Sequence, residues 1–336
     1  MIVRESVPLQ SLTTFRIGGP ARYVIDITSD TDLSNAVAFA QEHALPYRVL
    51  GEGSNVLAAD EGYAGVLFRM CTSTLSFVED VDTVTVTSDA GMHWDTLVKE
   101  AAARGLWGIE NLAGIPGSVG AAPVQNIGAY GVELERCLTA VTVFNAQTLQ
   151  KETISKEASG FGYRESRFKH EPHLIITNVT FTLSRVPTPE LSYGDIRRAI
   201  EEGAVHQTPA DIGEIVRRIR SKKFPDITYE GTAGSFFKNP ILSEEVFNQL
   251  TVRYPNLPHY PITGGIKIPL AYILDQVLGL RGYRNGKARL FEVQPLVLVA
   301  DRDATRADVD ALADDVTKKV FDATEILIER EVRDIK

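Results

Sequence analysis

The octapeptide Ala233-Gly234-Ser235-Phe236-Phe237-Lys238-Asn239-Pro240 sets one hydroxyl between a glycine and two phenylalanines. A serine beside glycine commonly hydrogen-bonds its own backbone in a turn. A serine in a pocket walled by aromatics can instead give up a proton. The octapeptide alone leaves both uses open, the turn being the commoner. No GxSxG surrounds Ser235 and no histidine is spaced to activate it, so a nucleophile is poorly supported. Two glycine clusters are the other strong signal: Gly51-Glu52-Gly53-Ser54-Asn55, and Gly114-Ile115-Pro116-Gly117-Ser118-Val119-Gly120-Ala121-Ala122. Residues without bulky side chains let a diphosphate approach the backbone, and the second cluster is expected to offer several N–H groups to one anion. The first does not complete GxGxxG, and GxxxxGK[ST] occurs nowhere, which excludes a P-loop. Two such clusters in one half of the chain favour a diphosphate-bearing cofactor.

Other polar groupings are weaker. His170-Glu171-Pro172-His173 looks ligand-like, but Pro172 bars the helical spacing of a zinc site, so no metal is expected. Phe161 to Lys169 packs aromatic and basic residues into nine positions, Tyr193 sits on an expected turn, and Glu329, Glu331 and Arg333 alternate along a strand pattern. Each fits a solvated edge or the lining of a cleft.

The elements that must carry these residues follow from periodicity. Strands are expected at Arg22–Ile27, Tyr47–Leu50, Thr83–Thr87, Thr139–Phe144, His173–Leu183, Glu292–Val299 and Ile326–Arg333. Helices are expected at Leu33–His43 behind the cap candidates Ser29, Asp30 and Thr31, and at Asp95–Arg104 stopped by Gly105. Further helices are expected at Ala210–Lys222, Glu244–Val252 and Ala271–Leu278, and around Val309, Leu312, Val316 and Val320. A basic helix end meets proline at 221–226, which marks a domain boundary. The pattern is α+β.

The chain has 336 residues, 44% hydrophobic and 24% charged, with a formal net charge of -9. That is enough chain for two or three domains. The acidity argues against nucleic acid or an anionic membrane as the main partner, yet one local Arg/Lys cluster suffices for an anionic ligand. Cys71 and Cys137 stand far apart, which fits a reducing cytoplasm without disulfides. The N-terminus lacks a signal-peptide pattern, and no apolar run approaches the ~20 residues of a membrane span.

Taken in order, several segments resemble the type I UDP-N-acetylenolpyruvoylglucosamine reductases (UDP-N-acetylmuramate dehydrogenases) of bacterial peptidoglycan synthesis. They are TFRIGG at 14–19, GEGSNVL at 51–57, ENLAGIPGSVGAAPVQNIGAYG at 110–131, FGYRESRFK at 161–169, LSYGD at 191–195, AGSFFKNP at 233–240 and EVR at 331–333. The resemblance implies a vanillyl-alcohol-oxidase-type (PCMH-like) FAD-binding domain over 1–222, with subdomains at about 1–70 and 71–222. It further implies a smaller α/β substrate-binding domain over 223–325 that closes over substrate, and a C-terminal strand at 326–336 carrying a carboxylate. FAD is expected between the subdomains and without a covalent link, since neither glycine cluster holds a His or Cys; NADPH is the expected reductant. Two departures stand out: Arg330 lies where the family often has proline, and Ala300-Asp301 replaces a commoner Asn-containing turn.

Carried over by motif, Ser235 resembles the proton donor, Arg164 the active-site arginine and Glu331 the active-site carboxylate. FAD contacts are implied for Gly51, Gly53, Ser54, Asn55, Asn111, Gly114, Ile115, Pro116, Gly117, Gly120, Ala121, Gln125, Asn126, Gly128, Ala129 and Arg220. Sugar-nucleotide contacts are implied for Tyr130, Tyr163, Tyr193, Lys223, Asn239 and Gln294. The implied reaction reduces the enolpyruvyl ether to the lactyl ether of UDP-N-acetylmuramate, in a cytoplasmic monomer acting on a small molecule. Hydride addition to the terminal alkene carbon builds charge on its neighbour. Arg164 and a protonated Glu331 suit that charge, and Ser235, aided by Lys238 or another polar neighbour, suits the single proton required. The alternatives are another flavoenzyme of the same fold, or a nucleotide-sugar-binding protein that has lost catalysis.

Overall fold

The computed structural model describes all residues, 1–336. Chain order begins β1 (Val3–Pro8), β2 (Pro20–Ile27), α1 (Asp30–Glu42), β3 (Tyr47–Leu50), β4 (Val56–Ala58), β5 (Tyr63–Met70), β6 (Leu75–Glu79), β7 (Thr83–Asp89) and α2 (Trp94–Ala103). After short helical turns come β8 (Gly128–Ala129), β9 (Val132–Glu133), β10 (Leu138–Asn145), β11 (Gln150–Ser155), β12 (Leu174–Ser184), α3 (Gly194–Glu201) and α4 (Pro209–Lys223). The rest comprises β13 (Ile241–Leu242), α5 (Glu244–Arg253), β14 (Tyr260–Ile262), β15 (Gly265–Lys267), α6 (Leu270–Tyr272), β16 (Arg284–Asn285), β17 (Ala288–Leu290), β18 (Leu298–Ala300), α7 (Arg306–Thr324) and β19 (Arg333–Ile335).

These elements form two compact units. The first is Met1–Val7, Ala21–Glu52 and Ala64–Ser221; the second is Pro8–Pro20, Gly53–Tyr63 and Lys222–Lys336. The second unit takes up the chain again at Lys222, and residues 8–20 and 53–63 group with it. The physical reason is burial and pairing: Phe15, Ile17 and Leu57 pack into the second unit's core, and β4 pairs in parallel with β19.

In the first unit a sheet ordered β1-β2-β5-β3 covers residues 3–70, and an antiparallel sheet ordered β11-β10-β12-β7-β6 covers 75–184. Alternation sets the second sheet's inner face. Val84 and Val86 of β7, and Val179, Phe181 and Leu183 of β12, are all fully buried, while the intervening threonines are not. The same face buries Leu97, Val98 and Ala101 of α2, so the start of α2 is fixed against a rigid sheet. Ser29 caps α1 by accepting from Asp32 N–H.

In the second unit α7 opens on a capping box, Thr305 with Asp308, and buries Val309, Leu312, Ala313, Val316 and Val320. The helix lies on β16–β18, and this core includes Phe236 and Phe237. Two expected strands are shorter than their alternation suggests. Only Leu298–Ala300 of 292–299 joins a ladder, because Val297 N–H turns back to Gln294 O and Pro295 has no N–H to give. Only Arg333–Ile335 joins one near the C-terminus; within 326–332 a single isolated bridge forms, between Arg330 and Phe237. The expected helix at 271–278 is α6 followed by a π turn, Ile273–Val277. No helix is long and apolar enough to cross a membrane.

Candidate active-site residues in each unit

The octapeptide of the second unit runs extended between two strips of chain. On one side Ser235 bridges Val297, and Phe236 N–H donates to Leu296 O at 2.8 Å. On the other, Phe237 bridges Arg330, and Glu331 N–H donates to Phe236 O at 2.8 Å. Phe236 and Phe237 are each 1% exposed, so burial pins the backbone that carries Ser235; truncating such a residue costs about 3–5 kcal/mol. Gly234 sits at φ +75 with open space where a Cβ would stand, so the left-handed backbone alone demands glycine there. Lys238, expected to assist the serine, is paired with Glu329 at 2.9 Å instead.

Three other motif segments meet this strip within the same unit. Thr14 Oγ1 donates to Thr232 O at 2.6 Å, Thr14 N–H to Gly53 O at 3.1 Å, and Arg333 N–H to Asn55 O at 3.1 Å. Asn55 Nδ2 lies 3.5 Å from Glu331 O. The TFR, GSN, AGS and EVR motifs are therefore one backbone-bonded cluster, and Ser235 and Glu331 are joined through Phe236. Arg330 supplies what proline cannot: its guanidinium pairs with Asp310 and, at 2.8 Å, with Asp314, tying the strip beside Glu331 to α7. Asp301, the other departure, pairs with Arg284 at 2.5 Å. Asn239 Oδ1 accepts from Leu270 N–H at 2.9 Å, and Gln294 Oε1 lies 3.5 Å from Leu296 N.

In the first unit the 110–131 stretch packs against α2 and the end of β3. A Cβ on Gly51 would stand 2.4 Å from Ser118 Oγ, so the two glycine clusters touch because one lacks a side chain. Several N–H groups of the second cluster, expected to face an anion, have partners within the chain. Gly114 N–H goes to Asp95, Gly117 N–H to Glu52, Gly120 N–H to Ala90 O, and Ala121 N–H to Ser118 O. Such a loop would leave these groups unsatisfied if it relied on a ligand to bond them, and it bonds them internally. Asn126, expected to touch the cofactor, is fully buried, and its amide bonds Gly162 O, Glu133 and Glu135 N–H. It holds the loop that carries Tyr163 and Arg164. Asn111 is likewise buried, its Nδ2 2.8 Å from both Tyr130 O and Glu190 O, and its Oδ1 is left without a partner.

Charge is the better pointer to an anion. Arg220 Nε donates to Gly114 O at 2.9 Å, and burial lowers the guanidinium pKa even though the Tyr130 hydroxyl bonds it. Tyr130, itself buried, has its hydroxyl pKa pushed up to about 12. A half-buried guanidinium beside the Gly114 loop suits an anionic ligand there. The residues present thus fit a diphosphate-bearing cofactor. Tyr193, 43% exposed, meets Tyr130 edge-to-face at 5.2 Å. Arg164 stands at φ +55, a left-handed conformation uncommon outside glycine; its Nη2 donates to Gly128 O at 3.0 Å and its own carbonyl accepts from Lys169 Nζ at 2.9 Å. Such outliers cluster at functional sites.

Comparison with known proteins agrees with this arrangement. Residues 21–151 match the family profile of a FAD binding domain, and residues 226–335 that of the UDP-N-acetylenolpyruvoylglucosamine reductase C-terminal domain. The Pseudomonas aeruginosa protein named UDP-N-acetylenolpyruvoylglucosamine reductase is 38% identical over 322 residues, 95% of this chain and 94% of its own.

The chain belongs to the UDP-N-acetylenolpyruvoylglucosamine reductase family.

The Pasteurella multocida reductase is also 38% identical, covering 97% of this chain and 95% of its own. A crystal structure of the reductase from Thermus caldophilus aligns over 100% of both chains with a TM-score of 0.70 at 29% identity. The fold is the α+β, vanillyl-alcohol-oxidase-type arrangement expected of the family, and the FAD-binding match, 21–151, falls in the first unit apart from residues 53–63. Two polar residues around the glycine loops, Asp95 and Arg217, have no role assigned from the sequence. The available signal was a charge, Asp95, within one helical turn of an otherwise apolar face.

Proposed function

We propose that this chain is the FAD-dependent oxidoreductase that reduces UDP-N-acetylglucosamine enolpyruvate to UDP-N-acetylmuramate, using NADPH. The observation that carries the reading is the cluster joining Ser235, Asn55 and Glu331, set in a chain whose family is established. In the first unit Arg220 and the 114–121 loop hold the cofactor's anionic part, with Gly51, Ile115, Pro116, Gln125, Gly128 and Ala129 around it. In the second unit Gly53, Ser54 and Asn55 complete the cofactor's contacts. FAD, when bound, supplies hydride chemistry, moving two electrons and a hydrogen from NADPH to the terminal carbon of the enolpyruvyl group.

The chain's own residues handle the rest. Arg164 and Glu331 stabilise the charge that builds on the neighbouring carbon and its carboxylate. Ser235 Oγ delivers the proton to that carbon: the O–H bond breaks, a C–H bond forms, and the alkene becomes a lactyl ether with one hydride and one proton added. A serine is a weak acid, but a carbanion-like acceptor is a strong base, so the transfer is downhill once the two are in register. Tyr130, Tyr163, Tyr193, Lys223, Asn239 and Gln294 orient the sugar nucleotide. The C-terminal portion, 223–325, is proposed as the substrate-binding part and 326–336 as the carrier of Glu331. FAD is held without a covalent bond, and the enzyme works as a cytoplasmic monomer; its acidity and two lone cysteines support that setting.

The test is to incubate the purified protein with FAD, NADPH and the enolpyruvyl sugar nucleotide in D₂O and analyse the product by NMR. The reading expects a lactyl ether carrying solvent deuterium at the carbon bearing the carboxylate. Unchanged substrate would overturn it. Acid precipitation should release all flavin to the supernatant, and flavin in the pellet would refute non-covalent binding.

A further inference from the structure

The start of α2 grips the glycine loop at three points. Trp94 N–H donates to Gly117 O at 2.8 Å, Trp94 Nε1 to Leu112 O at 2.8 Å, and Asp95 Oδ1 accepts from Gly114 N–H at 2.8 Å. Asp95 is held in turn: Arg217 Nε lies 3.0 Å from both carboxylate oxygens, and Lys99 Nζ is 3.1 Å away. With Arg220 on the carbonyl of Gly114, one peptide residue is gripped at both its N–H and its C=O. Gly114 stands at φ +68, a conformation that glycine reaches but does not prefer over others, so these bonds select it.

The charges are arranged to the same end. Arg217, 2.9–3.0 Å from the Asp95 oxygens, balances the carboxylate's charge beside the Gly114 loop. Burial works against the Asp95 carboxylate, yet the hydrogen bonds from Arg217 and Gly114 more than offset it and hold its pKa below the ordinary value.

We propose that Asp95, locked by Arg217, is a positioning residue for the FAD site: it fixes the Gly114 peptide in the conformation that lets Arg220 and the loop receive the cofactor. This rests on the reading of the first unit as the FAD domain. The rival role is a plain ion pair fastening α2 to α4.

Two conservative variants separate the roles because each keeps one function of Asp95. Asp95→Asn keeps a short acceptor for Gly114 N–H and loses the charge. Asp95→Glu keeps the ion pair and displaces the acceptor by a methylene. FAD dissociation constants of full-length apoprotein are measured by quenching of flavin fluorescence, alongside melting temperatures. The positioning role expects Asp95→Glu to weaken FAD binding about 10-fold, the range for a lost hydrogen bond to a charged group, while Asp95→Asn weakens it less despite melting lower. Binding that instead follows melting temperature, with Asn the weaker binder, overturns the proposal, as does unchanged binding in both. Wild-type apoprotein that takes up no FAD would sink the cofactor reading itself, a distinct result from normal wild-type binding with normal variants.

Discussion

In the first unit the Gly114 loop is held by side chains: Asp95 and Glu52 accept from its amides, and Arg220 donates to its carbonyl. In the second, the Ser235 strip is held by backbone bridges to Val297 and Arg330, with Phe236 and Phe237 buried beneath it. Grip by side chains can be undone one residue at a time, and the loss appears in what the loop binds. Grip by backbone survives replacement of Ser235 or Glu331, so the loss appears in the chemistry alone. Substitutions around the Gly114 loop should therefore move dissociation constants, and substitutions at Ser235 and Glu331 should move turnover.

The sharpest break between the two regions is expected at Glu331. Glu331→Ala should lower kcat by about 10²–10³-fold, the usual cost of removing a group aimed at developing charge, with FAD affinity unchanged in a fluorescence titration. Glu331→Gln, which keeps a donor, should retain part of the rate. Next in size, Arg220→Met should raise the FAD dissociation constant by about 10–100-fold, and Arg220→Lys should restore little because lysine has no counterpart to the Nε–H that donates to Gly114 O. Lys223→Ala should raise the KM for the sugar nucleotide about 10-fold through one lost charge-assisted contact, leaving NADPH oxidation by the cofactor near normal; equal damage to both would mark a structural role at the end of α4.

The smallest effect is a pH dependence. The folded-state pKa of Asp95 is depressed below the ordinary 3.8, so its contribution is present above that value and is lost as pH falls through the lower folded one. Folding stability should therefore begin to fall as pH drops below the ordinary 3.8 in the wild type, and Asp95→Asn should lack that component; parallel melting curves of the two proteins check it.

Regular elements were legible because their patterns are local. The alternation at Thr83–Thr87 and the apolar stripe of α7 each report one buried face, and the structure buries those faces. Segments 292–299 and 326–333 alternate equally well yet form little ladder, because pairing depends on a partner strip elsewhere in the chain. Membership of 8–20 and 53–63 in the second unit was illegible for the same reason. The glycine clusters read as loops with amides open to a ligand, but Gly114 and Gly117 give theirs to Asp95 and Glu52, carboxylates 19 and 65 residues away in the chain whose pairing no local pattern shows.

The central claim is that Ser235 is a proton donor and not a turn serine. Stopped-flow absorbance of the flavin separates the half-reactions. Ser235→Ala should leave the NADPH half-reaction near normal and slow the enolpyruvyl half-reaction by about 10²–10⁴-fold, the worth of a positioned general acid, with Ser235→Cys recovering part of the rate. An alanine variant whose enolpyruvyl half-reaction runs at the wild-type rate would contradict the account.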